Sequence, residues 1–387
     1  MTRTLNLIAF VVFACALFIR STDPVIPQIA SGLNVEPATA ALLSTAFTLP
    51  YALVQPVLGA LADMFSKTRL MLLCLFVVTA ATLACGIAPS FALLATGRVL
   101  AGLAAGGVVP IAFALVGDTV PVAERQVAMG RLLFAIMTGN LLGATCAGVV
   151  GDLLGWRGVF FVTGVLGLAA LMAAVPGFRG FVEARNRADL SKLIPNYLTI
   201  FRNPLAKICF GTVFLEAVFM YGVFPYIATM LHEAGETRAS IAGIVLAGFG
   251  IGGALYGVLV SLLLPWLGEG RMMRFGGMTM AICLIVIAAR LYWPFEFVNF
   301  ALLGFGFYTL HAVVQIYASE LAPAARGSAM ALHSFFFFLG QAVGPVVYGV
   351  GLSTIGLTPV LLFGAAVLIA VGFTCAQWLR RPRPSAV

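Results

Sequence analysis

The sequence predicts an all-α polytopic membrane protein, with twelve transmembrane helices arranged in two pseudo-symmetric six-helix halves. Three observations predict it. The 387 residues are 61% hydrophobic and 9% charged, with a mean hydropathy of +1.07, values that a soluble domain of this size does not tolerate. Apolar runs long enough to cross a bilayer, about 20 residues at ~1.5 Å each, recur along the whole chain. One segment also recurs 201 positions on: Arg125, Ala128, Met129, Gly139, Gly143, Ala144 and Gly148 reappear as Arg326, Ala329, Met330, Gly340, Gly344, Pro345 and Gly349. Two equivalent halves of a membrane protein imply a pseudo-twofold arrangement with a path between them.

The spans fall at roughly 5–30, 40–62, 69–88, 91–117, 128–150 and 156–177 in the first half. The second half has them at roughly 206–230, 239–264, 272–290, 294–318, 327–350 and 355–378. Span one outlasts the apolar core of a secretory signal and carries Arg20 and Asp23 before Pro24 and Pro27, so it reads as a retained span. Span two ends in Gly59-x-x-x-Asp63, and span eight carries Gly257-x-x-x-Ser261 near its end, so the acid is present in one copy only. Spans five and eleven hold the repeat, preceded by Asp118-Thr-Val-Pro121 and Glu320-Leu-Ala-Pro323. Between spans six and seven lies the longest polar stretch, from about Phe178 to Pro204, with Glu183 and Asp189 among its cations. The chain therefore divides into an amino-terminal bundle at 1–178, a linker with a short surface helix at 179–205, and a carboxy-terminal bundle at 206–387. Unbroken apolar runs exclude a β-barrel, whose strands would be short and alternating. All seven cysteines sit within spans without a C-x-x-C and read as small buried hydrophobes.

Basic residues set the orientation. Of the 22 Lys and Arg, 17 fall in the termini and the alternate loops on the same side. Cytoplasmic loops retain positive charge, so both termini are expected to be cytoplasmic, in a multi-pass protein of the bacterial inner membrane. The net charge of +8 is thus an orientation signal. It is scattered over short loops rather than gathered on one face, which argues against nucleic-acid binding.

Gly59-Ala-Leu-Ala-Asp63-Met-Phe-Ser-Lys67-Thr-Arg69 resembles the loop motif of the major facilitator superfamily, G-x-L-A-D-[RK]-x-G-R-[RK]. Gly59, Leu61, Ala62 and Asp63 match; Lys67 replaces the Arg, Met64 the first basic residue and Ser66 the second Gly. Arg98-x-x-x-Gly102 is similar to the family's R-x-x-x-G, and Gly139-x-x-x-Gly143-Ala144 to its fifth-span antiporter motif, G-x-x-x-G-P, without the Pro. Gly155-Trp156-Arg157-x-x-Phe160 is common in the drug:proton antiporter branch. The resemblance implies the major facilitator fold, with spans one, four, seven and ten around a central cavity. It also implies a latch at Asp63 that stabilises the outward-facing state. If the helix continues, Asp63 and Lys67 lie at i and i+4, placed to pair with each other or with a neighbouring helix. Glycines at four-residue spacing let two helix backbones approach closely, in seams suited to sliding or rocking.

Ionisable groups within spans are costly and therefore functional candidates. Asp23 lies roughly 18 residues into span one and Arg98 roughly seven into span four. These spans run in opposite directions, so the two residues share a depth, and an Asp23–Arg98 pair is expected with Arg20 one turn away. Glu216, mid-span in span seven, has no evident local partner and can carry a proton. Tyr308, His311 and Gln315 share one face of span ten, and His333 lies at a similar depth in span eleven. The candidate proton-coupling groups are Glu216, Asp23, His311 and His333. Arg20, Arg98, Tyr308, Gln315 and Phe219 are the candidate cavity residues, with Phe224 and Phe335 to Phe338 as further apolar contacts.

The resemblance implies a proton-coupled secondary transporter exporting small organic compounds by alternating access, with the proton gradient as energy source and no cofactor. A proton-coupled importer of a metabolite or siderophore-like anion is the alternative, with Arg20 and Arg98 as anion partners. A receptor or a membrane-embedded enzyme is the reading outside transport. No G-x-S-x-G, H-E-x-x-H or P-loop occurs, so no enzyme is expected. The chain is expected to act as a monomer in the lipid bilayer.

Overall fold

The computed structural model describes residues 2–64, 66–179 and 193–379, and side chains for most of these. Among the described residues, ten helical segments are long and apolar enough to span a bilayer. Two of them, α6 (Val122–Gly177) and α10 (Ala239–Ala288), have 56 and 50 residues, far beyond the ~30 Å of a hydrocarbon core. Each is broken by a glycine in the left-handed region, Gly155 (φ 70°) and Gly268 (φ 71°), so each supplies two crossings. Twelve crossings result.

The first crossing is composite. It joins α1 (Thr2–Arg20), a 3-10 turn (Asp23–Val25) and α2 (Ile26–Leu33). Then come α3 (Pro37–Met64), α4 (Lys67–Gly86), α5 (Phe91–Thr119) and the two crossings of α6. A short surface helix, α7 (Leu193–Arg202), occupies the described part of the linker; Glu183 and Asp189 lie outside the described residues. The seventh crossing is also composite: α8 (Leu205–Glu216), a π-helical turn (Ala217–Tyr221) and α9 (Phe224–Glu233). The chain then runs through α10, α11 (Trp293–Glu320), α12 (Arg326–Thr354) and α13 (Leu357–Trp378).

Each half has its own core. One buried cluster runs from Ile8 to Phe178; another runs from Ile200 to Leu379 and takes in only Ala41 and Ala144 from the first half. The repeated glycines explain how the helices pack within each half. A Cβ on Gly139 or Gly143 would meet the carbonyl oxygens of Phe13 and Leu17, and one on Gly340 or Gly344 those of Phe214 and Val218. All four pairs of equivalents are 201 positions apart, so the repeat extends to the first and seventh crossings. In each half the fifth helix of the bundle lies backbone-to-backbone against its first.

The loop motif differs from its expected form. The helix does not continue from Asp63 to Lys67: α3 ends at Met64, and Ser66 caps a new helix by accepting the Arg69 N–H at 3.3 Å. Lys67 thus begins α4, where it is buried and donates to Asp118 at the end of α5 at 2.5 Å. Gly59 and Asp63 fall on the last turns of α3, with the Asp63 side chain outside the described residues. Arg69 is exposed. Cys146 also departs from expectation, being exposed while the other six cysteines are buried.

Candidate functional site: a cavity between the halves

A cavity of about 620 Å³ lies between the two bundles, lined from both. Its deep wall is built at the two composite crossings, where the helices are interrupted. Breaks in transmembrane helices free backbone groups and redirect side chains, and π-helical turns often mark functional positions.

At the first break, Arg20 ends α1 and Asp23 opens the 3-10 turn. Arg20 Nη1 donates to Asp23 at 3.4 Å, and the Ser44 hydroxyl donates to the other Asp23 oxygen at 2.8 Å. Arg20 Nη2 reaches across the halves to Gln341 Oε1 on α12. The guanidinium also lies over the Tyr221 ring at 4.4 Å and the Phe224 ring at 5.1 Å, both from the seventh crossing. The expected Asp23–Arg98 pair does not form. Arg98 instead donates to the carbonyls of Phe18 (3.0 Å) and Leu43 (3.5 Å) and stacks on Phe47 at 4.2 Å. It sits within the amino-terminal bundle, 1% exposed, and is not part of the cavity wall. Helix rotation decides this: Arg98 points at the backbones of α1 and α3, and Arg20 takes the place beside Asp23.

At the second break, Glu216 is the last residue of α8, wholly buried. It has a partner that lies far away in sequence: Glu216 Oε1 and His311 Nδ1 are hydrogen-bonded. His311 stacks on Phe307 at 4.7 Å and meets the His333 ring at 5.0 Å. Both histidines line the cavity, with Glu216 behind them. The Glu216 Oε2 and His333 Nε2 atoms are buried without hydrogen-bond partners. The structure also brings Tyr308 and Gln315 to the wall, beside His311. Phe219 does not reach it: the π-turn points its ring outward, against Phe363 at 5.7 Å and beside Gly364. Tyr221, two residues on, takes the cavity position instead.

Sequence reasoning missed Ser44, Tyr221, Gln341 and Asn140, which also lines the cavity. The repeat held a signal for two of them. Asn140 and Gln341 each directly follow the first glycine of their copy, polar residues inside otherwise apolar spans.

The Major Facilitator Superfamily model matches residues 8–292 and again 239–387. The chain belongs to the major facilitator superfamily. Multidrug resistance protein 2 of Bacillus subtilis is 23% identical over 381 residues, covering 97% of this chain and 95% of that protein. Quinolone resistance protein NorA of Staphylococcus aureus is 25% identical over 354 residues, covering 90% of each chain. Among solved structures, a bacterial homologue of the human lysosomal transporter Spinster, inward-facing and unoccupied, aligns with a TM-score of 0.77 at 17% identity over 99% of both chains. A D-xylose–proton symporter aligns with a TM-score of 0.74 at 15% identity, over 99% of this chain and 98% of that one. At these identities the solved structures bear on the fold alone. As a major facilitator, the chain is a multi-pass membrane transporter of small molecules.

Proposed function

We propose that this major facilitator exports small organic compounds in exchange for protons, by rocking one bundle against the other about the central cavity. One observation carries the reading: Glu216 is buried at the break in the seventh crossing, bonded to His311, with His333 beside them on the cavity wall. A carboxyl group bonded to one cavity-lining imidazole, with a second in ring contact with the first, has acceptors at hand for a proton and a reason to change partners when a substrate arrives. The names of the multidrug and quinolone resistance relatives support export of organic compounds. Asp23 and Arg20 form a second candidate locus, bridging the halves through Gln341. The importer reading loses one of its two anion partners, since Arg98 is enclosed by its own bundle. The excess of basic residues at the ends and loops on the termini side supports cytoplasmic termini in an inner membrane. The linker at 179–205 would then join two bundles, 1–178 and 206–387, on the cytoplasmic face.

The test is flux of an organic dye into inside-out proteoliposomes under an imposed pH gradient. Glu216→Gln is expected to lower gradient-driven flux by at least about tenfold while binding persists. Gradient-driven flux equal to wild type in that variant removes Glu216 from coupling.

A further inference from the structure

The two seams between the bundles differ on the termini side of the cavity. One joins α3 to α12. It is held by Thr45 donating to Ala342 O at 2.7 Å and by the Tyr51 and Phe338 rings at 4.1 Å. Nearer the termini the linker helix spans it, with Tyr197 donating to Pro56 O at 2.7 Å and Phe201 against Phe336 at 6.4 Å. The other seam joins α6 to α10. Its close approaches are Gly148 against Ala239, Gly243 against Ala144, and Gly250 against Leu141. Beyond Leu141 and Gly250, toward the termini, both helices line the cavity with Leu133, Phe134, Met137, Ala254 and Val258. Yet Phe134 and Val258 are 72% and 73% exposed. Side chains that face a cavity and the surroundings together mark a side opening, here at the depth of the bilayer.

The opening is apolar and the deep end of the cavity is polar but internally neutralised. Arg20 and Asp23 are paired with each other, and Glu216 with His311. Among the described residues, no Asp, Glu, Lys or Arg lines the cavity beyond Arg20 and Asp23. What remains for a ligand is Gln315, Asn140 with Oδ1 unpartnered, and His333 with Nε2 unpartnered and only 2% exposed, while Gln55 already donates to Gly106 O at 2.9 Å. Placing a net charge there would leave it without a counter-ion in a low-dielectric site.

Resting on the transport reading above, we infer that the substrate class is single-chain amphiphiles with an uncharged, hydrogen-bonding head group. They enter sideways from the termini-side leaflet, between α6 and α10. The head meets Asn140 and His333, and the tail lies along Phe134, Met137 and Val258. The sealed α3–α12 seam makes the route one-sided.

The experiment is photo-labelling in nanodiscs with decyl glucoside carrying a diazirine near the end of its chain. Saturable labelling is expected on α6 near Phe134 and α10 near Val258, displaced by unlabelled decyl glucoside. Gly257→Trp and Val258→Trp should each cut it at least about fivefold, with labelling of α13 near lipid-exposed Phe363 unchanged. A Cβ at Gly257 meets nothing within 4 Å, so the backbone there accepts a side chain. Decyl trimethylammonium and decyl sulfate should compete at least about tenfold more weakly than the glucoside. Labelling that does not saturate, or that both tryptophan variants leave intact, overturns the route. A charged homologue competing as well as the glucoside overturns the head-group class. Absence of gradient-driven decyl glucoside flux, with saturable labelling retained, counts against the transport reading and leaves the binding site standing.

Discussion

Asp23 is wholly buried, and its two oxygens have different partners: the Arg20 guanidinium on one and the Ser44 hydroxyl on the other. Ser44→Ala removes one hydrogen bond to this carboxyl group without touching Arg20. A hydrogen bond to a charged group contributes about 1.5–3 kcal/mol, so the variant should melt measurably earlier in detergent. The neighbouring Thr48 hydroxyl only bonds back to the Ser44 carbonyl at 2.7 Å within its own helix, and Thr48→Val serves as the control. A Ser44→Ala shift no larger than the control would mean that Arg20 alone holds Asp23. Away from the membrane, Glu236 provides a pH signature. Hydrogen bonds from Arg238 hold its carboxyl below the ordinary glutamate value. A carboxyl lowered on folding adds stability that is present above its unfolded value and lost as pH falls through the folded one. Glu236→Gln should therefore destabilise at neutral pH, with the difference shrinking below about pH 4 in melting curves.

At the scale of elements, the glycine seams allow a sharp prediction. The Phe214 backbone carbonyl leaves no room for a Cβ at Gly340 and cannot swing aside as a side chain does. Gly340→Val should cost about 1–3 kcal/mol of overpacking or separate α12 from α8 altogether, read as lost monodisperse protein on size exclusion. Equal yield and melting temperature would show that this contact is loose. These seams, the two halves and the crossings were legible in the sequence because they rest on apolar length and small-residue spacing. Partner choice was not. Glu216 and His311 are 95 positions apart and Arg20 and Gln341 321, and which face each helix presents depends on rotation that no local pattern encodes. The broken helices at Asp23 and at Ala217–Tyr221 were hidden too, inside runs apolar enough to read as continuous. Superposing the repeats exposes a further rule. Glu216, His311 and His333 correspond to Cys15, Val109 and Leu132, whereas Arg20, Asp23 and Arg98 correspond to Tyr221, Phe224 and Phe300. Each bundle keeps one polar cluster where the other packs apolar side chains. The halves therefore share a scaffold and divide the ionisable groups between them.

For the whole molecule, the bundles are clasped at the end far from the termini. There α2 packs on α9, and Asp152 of α6 accepts the Ala239 and Ser240 N–H groups of α10 at 2.7 and 2.9 Å. The carboxylate caps a helix that belongs to the other bundle, so separating the bundles at that end costs the cap. The repeat supplies no counterpart across the α3–α12 seam, since Ser353 stands where Asp152 does and bonds within its own helix at Val350 O. Under the proposed rocking, one residue then biases the equilibrium. Replacing a helix cap with Ala costs about 0.5–2 kcal/mol, here paid only by the conformation closed at the far end. An equilibrium shift of that size changes the population ratio by roughly 2–30-fold. Spin labels at the exposed Ser31 and Ala234 sites report the far end, and a pair at Val127 and Leu262 reports the other. In Asp152→Ala, the Ser31–Ala234 distance distribution should gain a longer component as the Val127–Leu262 distribution gains a shorter one. Opposite movement at the two ends is the signature of rocking about the cavity. A longer far-end distance with no change at Val127–Leu262 would indicate local fraying of α10, and alternating access would lose this support.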